Sequence, residues 1–263
     1  MPGKRTPPEP SRNSRLLVRE RRGPEGTSYE TDALSRGFRR IAGVDEAGRG
    51  PLAGPVVAAA VVFEAGAFNP DIKDSKLLSA KKREGLAAWI KERAASWAVG
   101  TADSREIDDL NILRASLLAM ARAVRGLDIA PDYLMVDGPY GIPAASLVGD
   151  GGPWTAAPAQ RTVKGGDRLC FSIAAASIIA KVARDRMMVE LDALYPEYGF
   201  ASHKGYRSRR HSTALHRYGP CPIHRRSFKP VRESWEHRAP GALSAPGGGL
   251  PVPLFGARNR DER

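Results

Sequence analysis

The chain has 263 residues and carries 41 Lys and Arg against 29 Asp and Glu, and its formal charge of +12 indicates a polyanionic partner such as nucleic acid. The apolar content of 42% is ample for a buried core, whereas the apolar stretch 51–63 is too short and too rich in Pro and Gly to span a bilayer. Cys170 and Cys221 form neither a disulfide framework nor a zinc-site spacing, and the basic N-terminus lacks an apolar signal core, so we expect a cytoplasmic protein with no membrane association.

Composition divides the chain into three segments. Residues 1–37 are rich in Pro and Arg, residues 238–263 are rich in Gly, Pro and Ala, and neither segment has apolar periodicity. Such segments cannot bury enough apolar surface to order themselves, so both are predicted to be disordered tails. The folded unit is therefore predicted to span residues 38–237.

Apolar runs within this unit alternate between strand and helix character. Short runs rich in Val and Ala and bounded by Gly or Pro predict strands, and longer runs predict helices. The predicted strands cover 40–45, 55–63, 96–101, 133–136 and 161–163, and the predicted helices cover 79–94, 109–125 and 172–194. This order predicts an α/β domain with a mostly helical segment after about residue 170, and we interpret 139–160 as a surface loop.

Acidic residues stand where two of the predicted strands end. Asp45 and Glu46 end the first strand and Asp137 ends the fourth, so three carboxylates meet at one edge of the sheet if these strands are neighbours. Hard oxygen ligands of this kind suit Mg²⁺ or Mn²⁺, and two such cations can activate water and stabilise the leaving oxygen of a phosphodiester. The alternative for each residue alone is an ordinary turn, because Asp commonly begins or caps one.

A glycine-rich turn follows the first strand. The sequence from Gly48 to Ala53 fits a dinucleotide-binding fingerprint, but that fingerprint must open a helix, whereas Pro55 and the valines after it restart a strand. A P-loop is excluded because no Gly-Lys-Ser/Thr follows. What remains is Arg49 between Gly48 and Gly50, where the backbone can come close to a phosphate or a sugar.

The last third of the folded unit has a one-sided charge pattern. From His203 to Arg232 there are nine Lys or Arg, three interleaved aromatic residues and no Asp or Glu, which favours a nucleic-acid face over a merely solvated one. On the long predicted helix, Ser177, Lys181 and Asp185 stack at spacings of four. Asp185 is then either a fourth site carboxylate or the partner of Lys181 or Arg184 in an ion pair.

Seven motifs in order along the chain resemble those of bacterial ribonuclease HII. They cover nearly all of the folded unit: GVDEAGRGPLAGP at 43–55, DSK at 74–76, EIDDLNI at 106–112, VDG at 136–138, SIAAASIIAKVARD at 172–185, YGFASHKGY at 198–206 and HRRSF at 224–228. The resemblance implies a ribonuclease H-like fold, with a mixed central sheet flanked by helices and a C-terminal helical region.

The resemblance also implies an activity. A family member hydrolyses the RNA strand of RNA/DNA hybrids and nicks duplex DNA at embedded ribonucleotides by a two-metal mechanism that leaves 3′-hydroxyl and 5′-phosphate ends. It would use Mn²⁺ or Mg²⁺, act as a monomer on RNA/DNA hybrid and ribonucleotide-containing duplex DNA, and serve ribonucleotide removal from DNA.

The family's four metal carboxylates match Asp45, Glu46, Asp137 and Asp167, with Asp185 as the competitor for the fourth place. The local sequence from Lys164 to Asp167 contains one Gly more than the family's usual pattern, which puts the role of Lys164 in doubt. By resemblance, Tyr206 packs against the deoxyribose next to the cut, while the turn at 48–50 reads the 2′-hydroxyl that separates RNA from DNA. The full set of implied substrate-binding residues is Gly48, Arg49, Gly50, Lys76, Ser177, Lys181, Lys204 and Tyr206.

Two rival functions remain open at this point. A non-catalytic nucleic-acid binder would explain the charge, but it would not need several carboxylates beside phosphates, where they repel the ligand unless a metal bridges them. A different metal nuclease on the same fold would explain both features.

Overall fold

A computed structural model describes residues 28–64, 66–73, 75, 78–148 and 156–236 of the chain. Most of the two predicted tails, residues 1–27 and 237–263, lies outside the described residues, as does Lys76. The strands are β1 (Ile41–Ala47), β2 (Val56–Phe63), β3 (Ala94–Ala102), β4 (Tyr133–Asp137) and β5 (Ala159–Val163). The helices are α1 (Ser28–Ser35), α2 (Ala80–Arg93), α3 (Ser104–Leu110), α4 (Ile112–Arg125), α5 (Ala144–Leu147), α6 (Gly166–Leu169), α7 (Phe171–Leu194), α8 (Phe200–His203), α9 (Arg209–Tyr218) and α10 (Lys229–Glu236).

The strands form one mixed sheet in the order β3-β2-β1-β4-β5. β1 pairs antiparallel with β2 and parallel with β4, β2 pairs antiparallel with β3, and β4 pairs parallel with β5. The first seven residues of β2 are all buried, as expected for a central strand covered on both faces. The first and fourth strands are therefore neighbours, which is the condition for their terminal carboxylates to meet.

Two apolar clusters cover the faces of the sheet. α4 packs on one face with a cluster that includes Ala119 and Val124, and α7 packs on the other with Ile178 and Ile179. The start of α7 crosses β1 at Gly43, where a Cβ atom would lie 2.1 Å from the carbonyl carbon of Ser172. Only glycine allows this approach, so Gly43 fixes the helix directly behind the end of β1.

The end of α7, α8 and α9 form a separate layer around a third cluster, and α10 packs beside them through Val231. This cluster contains Met188, Tyr198 and Phe200, and the layer is tied to the segment after β1 by backbone hydrogen bonds. The Leu52 N–H donates to the Gly205 carbonyl at 2.8 Å, and the Gly54 N–H donates to the Ile223 carbonyl at 2.9 Å. The basic C-terminal region is thereby held against the glycine-rich turn. No helix among the described residues has the length and apolar character that a bilayer crossing requires.

The structure differs from the predicted boundary at residue 38. Residues 28–35 form α1, Ala33 on this helix is buried, and Glu30 accepts hydrogen bonds from the backbone N–H (2.9 Å) and the hydroxyl (2.8 Å) of Ser172. The predicted tail therefore contains a helix that packs on the domain. The helix escapes a search for apolar periodicity because Ala33 is its one buried residue, while Glu30 and Asp32 hold it through polar contacts with Ser172 and Arg161.

Two further segments differ from the prediction. The helix predicted over 109–125 is two helices, because Asn111, with φ of 71°, ends α3 and caps α4 through its side-chain oxygen. The predicted surface loop 139–160 is partly a packed segment, since Ile142 and Leu147 are buried; its residues 149–155 lie outside the described part.

Candidate active site

Four carboxyl groups converge at the edge of the sheet where β1 and β4 end. The parallel register pairs Val44 with Val136, so the next residues on the two strands are Asp45 and Asp137. Asp45 is 5% exposed, and burial raises the pKa of its carboxyl group well above the ordinary value. The negative charges of Glu46, Asp137 and Asp167 raise that pKa further, which places all four acidic groups within electrostatic reach of one another.

Glu46 connects this cluster to the glycine-rich turn. Its backbone N–H donates to Asp45 Oδ1 at 2.7 Å, and its carboxylate accepts from Arg49 Nη1 at 3.2 Å. Burial raises the pKa of Glu46, the charge and hydrogen bond of Arg49 lower it, and Asp137 raises it again. The chain turns directly afterwards at Gly48, which has φ of 97°. Arg49 is thus the cation that partly offsets the acidic cluster.

Asp137 and Asp167 are held together by a short helix. Gly165 adopts φ of 67° and starts α6, whose first backbone N–H, from Gly166, donates to Asp137 Oδ1 at 2.7 Å. Asp167 is the next residue and is 5% exposed. The position of this carboxyl group therefore depends on the hydrogen bond between α6 and the end of β4.

Asp185 has a different environment. Its Oδ1 accepts from Lys181 Nζ at 2.6 Å, and its Oδ2 lies 3.8 Å from Arg83 Nη2. The charge of Asp167, by contrast, is among those that raise the pKa of Asp45. The structure thus brings Asp167 to the cluster and leaves Asp185 in an ion pair on the helix beside it.

The structure places the substrate-binding residues predicted from the resemblance in different environments, and Lys76 lies outside the described residues. A Cβ atom on Gly50 would lie 3.7 Å from Tyr206 Cε1, so the turn at 48–50 faces the Tyr206 ring, which is half-exposed. Lys181, Lys204 and Tyr206 line one open groove. Ser177 is buried and its hydroxyl hydrogen-bonds the Ser75 hydroxyl at 2.8 Å, while Lys204 Nζ donates to the Ala201 carbonyl.

The donor set of the cluster fits hard divalent cations, since every side-chain ligand it offers is a carboxylate oxygen. Within the described residues, however, no three His, Cys, Asp or Glu side chains already converge as metal ligands. One oxygen of Asp45 and one of Asp137 accept from backbone N–H groups, and Glu46 pairs with Arg49. A carboxylate that ligates a cation is commonly hydrogen-bonded as well, so these contacts would orient the carboxyl groups for a cation.

Two buried arginines complete the surroundings of the turn, and sequence reasoning did not assign them. Arg184 entered only as a candidate ion-pair partner of Asp185, and Arg225 was counted in the basic face. Both are fully buried and donate to backbone carbonyls around the turn. The available signal was the position of Arg184 on an otherwise apolar arc of the long helix, between Val182 and Met187.

Comparisons with known proteins place this geometry in a family context. A family model described as Ribonuclease HII matches residues 42–231. Ribonuclease HII from Citrifermentans bemidjiense is 52% identical over 223 residues, which is 85% of this chain and 92% of that protein.

Two solved structures are also similar. The ribonuclease H2 of Pyrococcus horikoshii OT3 superposes with a TM-score of 0.61 and 31% identity, covering 75% of this chain and 97% of that one. The RNase HII of Archaeoglobus fulgidus, solved in a complex with PCNA, gives a TM-score of 0.59 at 26% identity, covering 72% of this chain and 95% of that one.

Proposed function

This chain belongs to the ribonuclease HII family, and from that premise we propose that it cleaves the RNA strand of RNA/DNA hybrids and nicks duplex DNA at embedded ribonucleotides. As a family member it is a ribonuclease H, an endonuclease that hydrolyses phosphodiester bonds. Its mixed sheet flanked by helices is the ribonuclease H-like fold of the similar solved structures, so the predicted fold class is confirmed.

One observation carries the proposal: carboxylates from β1, β4 and α6 converge immediately before a turn that faces an exposed tyrosine. Asp45, Glu46, Asp137 and Asp167 would hold divalent cations, Mn²⁺ or Mg²⁺. Two such cations would supply an activated water and stabilise the leaving oxygen, and we expect cleavage to give 3′-hydroxyl and 5′-phosphate ends. Acidic groups packed this closely repel one another, so a cation between them relieves a strain that the fold itself creates.

The chain's own residues would orient the substrate. Arg49 and Gly50 are exposed next to the cluster while Gly48 is buried behind them, so the exposed part of the turn would approach a ribose closely enough to contact the 2′-hydroxyl. Tyr206 presents a half-exposed ring on the other side of that position and can pack against the neighbouring sugar. Lys181 and Lys204 line the same groove and would neutralise backbone phosphates.

Arg49 links the glycine-rich turn to the acidic cluster. Arg49 is paired with Glu46 at 3.2 Å, so the group that reads the sugar is physically linked to a carboxylate of the cluster. A ribose placed against the turn would therefore bring its own phosphate to the carboxylates. We further propose that the catalytic unit extends from about residue 28 to about residue 237, and that it acts as a cytoplasmic monomer in the removal of ribonucleotides from DNA.

The experiment uses three duplexes of one sequence with Mg²⁺ or Mn²⁺: all DNA, DNA with one ribonucleotide, and an RNA/DNA hybrid. We expect one nick at the ribonucleotide, cleavage throughout the hybrid and none in the all-DNA duplex, with Asp137→Asn as the inactive control. Cleavage of the all-DNA duplex would identify a different metal nuclease. Binding without any cleavage would identify a non-catalytic nucleic-acid protein.

A further inference from the structure

Two arginine side chains are buried beneath the glycine-rich turn. Arg184 on α7 and Arg225 ahead of α10 are both 0% exposed. The hydrogen bonds observed for their guanidinium groups all end on backbone carbonyl oxygens within the described part of the chain. Their arrangement is unusual because buried charges are normally paired with opposite charges.

Arg184 bridges the far end of the turn to the loop that carries Tyr206. Its Nε donates to the Pro55 carbonyl at 3.0 Å and its Nη2 to the Ala53 carbonyl at 3.2 Å. Its Nη1 donates to the Lys204 carbonyl at 2.9 Å, and its Cζ lies 5.9 Å from the centre of the Tyr206 ring. One planar group therefore fixes the separation of the two surfaces between which a ribose would lie.

Arg225 holds both ends of the turn itself. Its Nη2 donates to the Gly48 carbonyl at 2.6 Å, its Nη1 to the Arg49 carbonyl at 2.9 Å and its Nε to the Gly54 carbonyl at 3.0 Å. Three donors in one rigid plane match three carbonyls, which the single flexible ammonium of lysine cannot reproduce. The backbone of Arg225 adds a further bond, donating to the Leu52 carbonyl at 2.9 Å.

Gly48 allows Arg184 to lie directly against the turn. A Cβ atom at this position would fall 2.0 Å from Arg184 Nε, and the residue has φ of 97°. The lack of a side chain at Gly48 therefore makes room for the Arg184 guanidinium group.

The two charges persist at neutral pH. Burial lowers the pKa of Arg184 to about 10 and that of Arg225 to about 9, values at which both groups remain protonated near pH 7. Buried charged groups are often replaced by apolar residues without loss of stability. Their presence under the turn is therefore better explained by the shape they impose than by the stability they contribute.

We propose that Arg184 and Arg225 are positioning residues that set the geometry of the 48–50 turn against Tyr206 and so determine selectivity for a single ribonucleotide. This inference rests on the proposed function. The two arginines contact neither the substrate nor the reacting atoms, and they act through the backbone carbonyls that they bind.

The test replaces each arginine by lysine, which keeps the charge and removes the planar set of donors. We expect kcat/KM on the single-ribonucleotide duplex to fall roughly tenfold to hundredfold, since about one or two charge-assisted hydrogen bonds are lost. The loss on the RNA/DNA hybrid should be several times smaller, because many registers are available there. The Mn²⁺ concentration for half-maximal activity should stay unchanged within about twofold, since the carboxylates are untouched.

Arg122→Lys is the matched control. Arg122 also donates to a backbone carbonyl, that of Thr101 at 2.7 Å, but it lies on α4 against the edge strand β3 and pairs with Glu106. It should lower the melting temperature without changing the ratio of kcat/KM between the two substrates. Equal losses on both substrates for Arg184→Lys and Arg225→Lys, or lower melting temperatures alone, would overturn the inference.

If the lysine variants fail to fold, a second variant tests the inference. Gly48→Ala forces Arg184 out of its place without changing either charge, so it must also lower the single-ribonucleotide to hybrid ratio, and an unchanged ratio overturns the inference. The wild type must nick the single-ribonucleotide duplex in the same series. A wild type that does not nick refutes the proposed function, whereas a nicking wild type with unaltered variants refutes only the role of the arginines.

Discussion

Replacing Asp45 by Asn is expected to stabilise the cation-free protein and to remove most of the stability that a divalent cation adds. Burial and the charges of Glu46, Asp137 and Asp167 raise the pKa of the Asp45 carboxyl group. A carboxyl group whose pKa rises on folding favours the folded state at low pH and disfavours it once ionised, so its charge destabilises the fold near pH 7. The amide has the same shape and removes that charge.

The size of the cation effect is set by the cation concentration relative to its dissociation constant. The acidic groups around Asp45 raise its pKa, so a cation bound among them would favour the ionised form. A cation present at about 100 times its dissociation constant stabilises the protein that binds it by about 2.7 kcal/mol. For a chain of this size that corresponds to a rise of roughly 5 to 11 °C in melting temperature.

The assay is thermal unfolding of the wild type and of Asp45→Asn, each with and without Mn²⁺. The wild type should show the full rise, and the variant should start higher and rise by less than half as much. Asp109→Asn removes an exposed carboxylate on α3 and serves as the control, with a response equal to that of the wild type. If Asp45→Asn gains as much from Mn²⁺ as the wild type does, Asp45 is not a ligand and the proposed site is wrong.

Four further measurements address other parts of the molecule. Asp167→Asn should lower turnover by orders of magnitude, whereas Asp185→Asn should lower it only severalfold because it breaks an ion pair; the reverse order in steady-state assays would exchange their roles. Tyr206→Ala should reduce kcat/KM on a single ribonucleotide more than on a hybrid, and equal losses would assign the ring to general binding. Burial lowers the pKa of His224 to about 3 from an ordinary 6.5, so the free energy of unfolding should fall as the pH drops below about 6.5, by at most about 1.4 kcal/mol per pH unit from this residue. Denaturant titrations at several pH values in which His224→Gln keeps the wild-type pH dependence would contradict this. Deleting residues 1–36 should lower the melting temperature by several degrees more than deleting residues 1–26, because only the longer deletion removes Glu30 from the start of α7; equal melting temperatures would make α1 dispensable.

Buried strands and their terminal carboxylates could be predicted from sequence because both leave local patterns. The strand predicted at 55–63 matches β2 to within one residue, since Val, Ala and Phe form an unbroken apolar run between Pro55 and Glu64. That Asp45 and Asp137 share an edge could not be read from these runs alone. It depends on β1 lying beside β4, across a separation of about ninety positions, and only the family resemblance supplied that topology.

The contacts that escaped prediction join distant segments through charged side chains, which composition alone predicts to be exposed. A charge count treats every arginine as exposed, yet Arg225 is buried and bonds the Gly48 carbonyl 177 positions away in the sequence. Glu30 escaped for a similar reason, because it reaches Ser172 across 142 positions from a segment whose composition predicts disorder. The burial of an apolar residue can be predicted from its spacing in the sequence. The burial of a polar residue can be predicted only when its hydrogen-bond partner is known.

Gly48 shows where the limit of sequence reasoning lies in the candidate site. Its identity alone indicates that something must approach the backbone closely, and the resemblance to ribonuclease HII assigns that approach to a ribose. The structure shows that Arg184 packs against the inner side of the same residue. The position of the turn is therefore fixed by the fold in the absence of substrate. A glycine can thus be predicted to mark a close contact, but the number and identity of the groups it admits depend on which distant segments the fold brings to it.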